Sequence, residues 1–88
     1  MQEKELVVEN KAGLHARPAA LFVQTANKFA SQMMVVRGAQ EVNGKSIMGI
    51  MMLAAGKGTR IKITAAGADE KEALERLEEL INKKFGEE

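Results

Sequence analysis

Eighty-eight residues, 45% hydrophobic and 28% charged, suffice for one modest hydrophobic core, and the chain reads as one domain over residues 1–88. Thirteen basic against 12 acidic residues give a net charge of +1, which excludes a general electrostatic affinity for nucleic acid or anionic membranes; three phenylalanines as the only aromatics exclude a base-stacking sheet face. The absence of cysteine excludes a disulfide framework and a thiolate metal site. The polar start Met1-Gln2-Glu3-Lys4-Glu5 is no signal peptide, and the nearly apolar run 47–55 falls short of the roughly 20 residues that span a bilayer, so a cytoplasmic location without membrane insertion is expected.

In chain order, residues 5–9 (Glu-Leu-Val-Val-Glu) read as a short strand that ends in a turn over 10–13. A helix is expected over 15–29, because Ala19, Phe22, Val23 and Ala26 recur at i, i+3, i+4 and i+7, and Phe29 prolongs the stripe. Pro18, the only proline, is compatible with a helix in its first turn. Residues 32–36 and 40–42 read as two strands joined at Arg37-Gly38-Ala39, with either Met33 and Val35 or Met34 and Val36 facing away from the helices. Asn43-Gly44 marks a turn, and Ser46 opens a short apolar helix over 47–54 that Gly56 stops. Residues 60–64 alternate as a strand with Ile61 and Ile63 inward. Asp69 and Glu72 have the spacing of a capping box for a last helix, whose buried face is Leu74, Leu77 and Ile81. Lys83 and Lys84 fall in its last turn, and Glu72–Arg76 and Glu79–Lys83 are spaced as i,i+4 pairs. The order β-α-β-β-α-β-α suits an α+β fold, an antiparallel sheet with helices on one face.

The chemistry concentrates at Gly13-Leu14-His15-Ala16-Arg17-Pro18-Ala19, which holds the only histidine. A neutral imidazole is the best phosphoryl-accepting nucleophile the chain offers at neutral pH. At the start of a helix the backbone N–H groups of Ala16 and Arg17 have no helical partner and can bond phosphate oxygens, while the Arg17 guanidinium adds charge. The helix end is worth about 0.3–1 kcal/mol to a nearby anion, and it disfavours the imidazolium. The bland alternative is an ordinary helix-capping histidine. A metal site is not expected, since one histidine without histidine or cysteine neighbours cannot complete a coordination shell. Hydrolytic catalysis is disfavoured too, because the segment offers no serine or cysteine nucleophile and no carboxylate to orient the ring.

These residues resemble the phosphohistidine signature of HPr, the histidine-containing phosphocarrier family of the bacterial phosphoenolpyruvate-dependent sugar phosphotransferase system. Asn43-Gly44-Lys45-Ser46-Ile47-Met48-Gly49 resembles the family's regulatory serine region, and length and element order agree along essentially the whole chain. The resemblance implies an open-faced β-sandwich, a four-stranded antiparallel sheet with three helices on one face. It implies that His15 accepts a phosphoryl group on Nδ1 from enzyme I and passes it to sugar-specific enzyme IIA components, a carrier rather than an enzyme in the strict sense. It implies phosphorylation of Ser46 by a serine kinase/phosphorylase in carbon catabolite control, with a catabolite-control transcription factor as a further partner. The family has a regulatory paralogue without the active histidine, and His15 aligns this chain with the carriers. No cofactor is expected beyond phosphate held covalently on His15 and Ser46.

From the residues alone Ser46 reads as an N-cap and nothing more. The helix after it carries Ile47, Met48, Met51 and Met52; Ile50 and Leu53 are the expected core members, with Ile47 if the helix turns that way. Met48, Met51 and Ile47, exposed beside His15, would form a docking surface with Ala16, Arg17, Ala20 and Gln24, flexible thioethers suiting several partners in turn. Gly56-Lys57-Gly58-Thr59 is not a phosphate loop, because Met51 stands where that motif needs its first glycine. A purely regulatory binding module is the competing class, a small nucleic-acid binder is disfavoured by the charge balance and the missing aromatics, and a monomer suits transient docking.

Overall fold

The computed structural model describes residues 1–87, which form β1 (Gln2–Val7), α1 (Ala16–Ala26), β2 (Gln32–Arg37), β3 (Gln40–Asn43), α2 (Ile47–Met52), β4 (Arg60–Ala66) and α3 (Glu70–Asn82), then a 3-10 turn over Lys84–Gly86. The four strands make one antiparallel sheet in the order β1-β4-β2-β3. Each β-α-β unit therefore encloses a strand of the other: β4 lies between β1 and β2, and β2 between β3 and β4. This is the expected α+β open-faced sandwich, with the helices on one face of the sheet.

The alternation in β4 sets the two faces. Ile61, Ile63 and Ala65 are buried, while Arg60, Lys62 and Thr64 point to the open side. In β2 the inward residues are Met33 and Val35, both fully buried. Met34 and Val36 lie half-buried on the open face, opposite Thr64 and Lys62 of β4. α1 covers the inner face with Ala19, Phe22, Val23 and Ala26, α3 with Ala73, Leu74, Leu77 and Ile81, and α2 adds Ile50. Complete burial of a side chain such as Phe22 or Leu77 stabilises the fold by about 1.5–3 kcal/mol.

Several boundaries differ from the sequence expectation. β1 lies three residues earlier at its start, because it is an edge strand whose polar Gln2, Glu3 and Lys4 pair with Ala65, Thr64 and Ile63. α1 begins after His15, its N-cap, and stops at Ala26; Lys28 and Phe29 donate to Thr25 and Ala26, three residues back, so the chain tightens while Phe29 still reaches the core. α2 ends at Met52, and the left-handed residue behind it is Ala54 (φ 52), not the expected Gly56. β2 and β3 each run one residue further than expected, and β4 runs two further.

The last helix corrects three expectations. Asp69 stands at the N-cap position, but its side chain makes no cap bond. It crosses to the α1–β2 turn instead, where its carboxylate accepts from Ala30 N (2.9 Å), Ser31 N (3.0 Å) and the Ser31 hydroxyl. The hydroxyl first, then the Ala30 amide, holds the Asp69 carboxyl below the usual carboxylate range. The reciprocal N-terminal bond is made by Glu70, which accepts from Gly67 N at 3.1 Å and is lowered by that contact. Lys83 is the C-cap and Lys84 lies beyond it with φ 57; Lys83 still bridges Glu79 at 3.2 Å. Arg76 approaches Glu79 at 4.0 Å, and no Glu72–Arg76 pair occurs among the described residues.

Candidate functional site

The β1–α1 loop is pinned at three points before it reaches His15. Gly13 N donates to Asn10 O (3.1 Å) and Leu14 N to Ala55 O (2.9 Å), while the Leu14 side chain is buried. Gly13 has φ +73, and a Cβ there would stand 2.5 Å from Ala55 O and 2.7 Å from Gly56 Cα. Only glycine lets the loop lie this close against the α2–β4 connection. His15 N donates back to Gly13 O at 3.0 Å, closing a three-residue turn that swings the imidazole outward.

His15 is thus the N-cap of α1 in extended conformation (φ −84, ψ −167), and its side chain makes no capping bond. Its carbonyl accepts from Ala19 N at 2.9 Å. Pro18 has no N–H to satisfy, and among the described residues neither Ala16 N nor Arg17 N has a hydrogen-bond partner. No acidic residue occupies the first turn. The end of α1 therefore offers two free amide donors and a positive dipole beside an imidazole whose side chain is 43% exposed. Arg17 is exposed and makes no ion pair among the described residues.

One feature of the site could not be anticipated locally. Glu87, 72 residues on, brings Oε2 to 3.0 Å from His15 Nε2 and accepts from Asn10 Nδ2 through Oε1 at 3.0 Å. Asn10 is fully buried, and the same nitrogen donates to Gly13 O at 2.7 Å. The expectation that no carboxylate orients the ring holds for the segment 13–19 but fails for the folded chain. No sequence pattern points to Glu87, and Asn10 reads from the sequence only as part of a turn.

The opposite wall of the site is the end of α2. A shallow depression beside the imidazole is lined by Ala12, Leu14, His15, Ala54, Ala55 and Gly56. Arg37 at the end of β2 donates to Leu53 O (2.7 Å) and Ala54 O (3.1 Å), and Gln40 donates to Met52 O (3.1 Å). These donors satisfy carbonyls that the short helix leaves open. At the other end of α2, the Ser46 hydroxyl accepts from Gly49 N at 3.0 Å, the expected N-cap.

α1 and α2 pack against each other, and the apolar residues of α2 divide between core and solvent. Ile50 and Leu53 are fully buried. Met48 is 73% exposed, Met52 64%, Ile47 43% and Met51 42%, an apolar cluster that faces water on a helix of six residues. On α1, Ala16, Ala20 and Gln24 follow each other at i, i+4 and i+8; Ala16 and Gln24 are exposed and Ala20 is half-buried. No helix is long and apolar enough to cross a membrane among the described residues.

The family model for the PTS HPr component phosphorylation site matches residues 2–83. The chain belongs to the HPr family. It is 52% identical over 87 residues to phosphocarrier protein HPr of Neisseria meningitidis, covering 99% of this chain and 98% of that one. It is 51% identical over 83 residues to the HPr-like protein Crh of Halalkalibacterium halodurans, covering 94% and 99%. The crystal structure of HPr-C-His from Thermoanaerobacter tengcongensis superposes with a TM-score of 0.96 at 56% identity, covering 100% and 99%. The chain is accordingly an HPr phosphocarrier of the phosphotransferase system, a carrier and not a catalytic enzyme.

Proposed function

We propose that His15 receives a phosphoryl group from enzyme I and delivers it to enzyme IIA components. The observation that carries this reading is the exposed imidazole at the N-terminus of α1, beside two amides that have no partner among the described residues. In the transfer the Nδ1 lone pair forms a bond to phosphorus, while the bond from phosphorus to the donor atom breaks and the donor leaves with its electron pair. Ala16 N and Arg17 N then donate to the phosphoryl oxygens, and the Arg17 guanidinium offsets the remaining charge. Phosphate is carried covalently, with no separate cofactor.

The docking surface is Ala16, Arg17, Ala20 and Gln24 of α1 with Ile47, Met48 and Met51 of α2. Small side chains on one helix allow close approach, and unbranched thioethers on the other adapt to different partners. Donor and acceptors use it in turn, in the cytoplasm. The chain acts as a monomer; an HPr of T. tengcongensis has been crystallised as a dimer, so sedimentation at working concentration checks this point.

Regulation at Ser46 is the finer part of the proposal. A phosphate of about −1.5 to −2 charge at a helix N-terminus is accommodated without refolding. It changes the charge beside the docking surface, disfavouring acidic partners and favouring basic ones, such as a catabolite-control transcription factor. A serine kinase/phosphorylase is the enzyme this requires. The similarity to Crh supports a regulatory role next to the carrier role.

Incubation with phosphoenolpyruvate and the cognate enzyme I tests the main reading. An acid-labile, base-stable phosphate is expected, and His15→Ala abolishes it. Labelling by ATP and kinase at Ser46 alone would replace the carrier with a purely regulatory module.

A further inference from the structure

The chain after α3 turns back onto the imidazole. Lys84, Phe85 and Gly86 take φ values of 57, 56 and 74, three left-handed residues in succession, two of which carry side chains. Such conformers persist only where the surroundings impose them. Phe85 supplies the constraint, since it belongs to the core with 4% exposure. With its ring anchored, the turn sends Glu87 across the β1–α1 loop.

There the carboxylate has a built seat. Its side chain is 17% exposed, and Oε1 accepts from the buried Asn10 amide that also holds Gly13 O. The remaining oxygen, Oε2, lies 3.0 Å from His15 Nε2. An ionised carboxylate only accepts hydrogen bonds, so this contact requires a proton on Nε2. A neutral ring protonated there has its lone pair on Nδ1, which has no partner among the described residues.

We propose that Glu87 is a positioning residue for His15: it holds the proton on Nε2, and the ring therefore presents its lone pair at Nδ1. This rests on the phosphocarrier reading. When Nδ1 bonds to phosphorus and the donor departs with its electron pair, the ring keeps its Nε2 proton and becomes cationic. That cation lies against the Glu87 carboxylate, and no proton has to move during transfer. Asn10 is what keeps the acceptor in place, an orienting group behind the reacting ring in the manner of metal-ligand and triad histidines.

The test uses the full chain with 15N-labelled histidine. The neutral ring of the parent is expected to show a protonated Nε2 and a bare Nδ1. Glu87→Ala shifts both nitrogens toward the mixed state of free imidazole, and its initial rate of phosphorylation by enzyme I falls ~3–10-fold, as for loss of one partly exposed charge-assisted hydrogen bond. Glu87→Gln keeps an acceptor oxygen and restores most of both. The core anchor Phe85 is untouched, and the amide spectrum reports that each variant is folded. A parent ring protonated on Nδ1, an Ala variant with unchanged tautomer, or a rate loss without a tautomer shift overturns the proposal. The tautomer is read without any enzyme, so failure of the parent to accept phosphate would sink the phosphocarrier reading separately.

Discussion

The two turns that flank α1 solve the same problem in opposite ways. Both present backbone N–H groups that no helix or strand uses. At the far end Ala30 N and Ser31 N are filled by the protein's own anion, the Asp69 carboxylate, with the Ser31 hydroxyl as a third donor. At the near end Ala16 N and Arg17 N have no acceptor among the described residues, with an exposed nucleophile beside them. The filled turn ties α1 to α3 and serves the fold. The open turn is stable only because Gly13, Leu14 and Ala55 fix the backbone behind it, and it keeps its donors for a group that arrives from outside. An anion is welcome at both; the difference is whether the chain's own carboxylate bonds the amides, as Asp69 does, or the ring beside them, as Glu87 does.

The largest expected effect comes from disturbing the support behind the open turn. Gly13→Val places a branched side chain at φ +73 within 2.5 Å of Ala55 O. It should cost ~3 kcal/mol or more in denaturant unfolding and abolish phosphorylation of His15. A Gly13→Val variant that unfolds like the parent would show that the loop is not clamped.

The filled turn is broken by Asp69→Asn, which lowers the thermal midpoint at neutral pH. Asp69 has a folded pKa below its unfolded value, so its contribution is complete above the ordinary carboxylate range and is lost as pH falls through and below it. The gap between parent and variant should therefore close on acidification from neutral pH toward the folded-state pKa. A gap independent of pH would remove the ionised carboxylate from the explanation.

Ala54 gives a smaller effect of opposite sign. It holds φ 52 without being glycine and is exposed, so Ala54→Gly should raise stability by ~0.5–1 kcal/mol in the same unfolding experiment. The smallest effect on the fold is expected at Met48, 73% exposed, where Met48→Gln should change stability by less than ~0.5 kcal/mol. The same variant should raise the KM of enzyme I for the carrier ~3–10-fold, since a thioether at a docking surface contributes only when covered. An unchanged KM would take Met48 out of that surface.

Much of this comparison is legible in the sequence. Gly13, His15 and Pro18 announce a loop, a cap and a first helical turn by chemistry confined to six residues, and Ser46 caps α2 as its side chain suggests. The expected order of elements and the inward alternation of Ile61 and Ile63 follow from periodicity that neighbours along the chain enforce. Asp69 shows where that logic stops. Its spacing to Glu72 imitates a capping box, but its donors lie 38 and 39 residues away in another turn, and Glu70 makes the terminal bond instead. Glu87 is the stronger case, because nothing near residue 87 indicates that an anchored Phe85 and three left-handed residues will carry it to an imidazole. The role of Ala54 is not legible locally, because Arg37 and Gln40, from the β2–β3 hairpin, satisfy the carbonyls that fix the end of α2.

The sheet order β1-β4-β2-β3 has a consequence for how the molecule is made. The strand that joins the two halves is the last of the four to leave the ribosome. Until Arg60–Ala66 emerges, β1 has no neighbour to zip against, and only the local β2–β3 hairpin can close. The nascent chain must therefore hold its apolar residues uncommitted until β4 is available and gain its tertiary structure late.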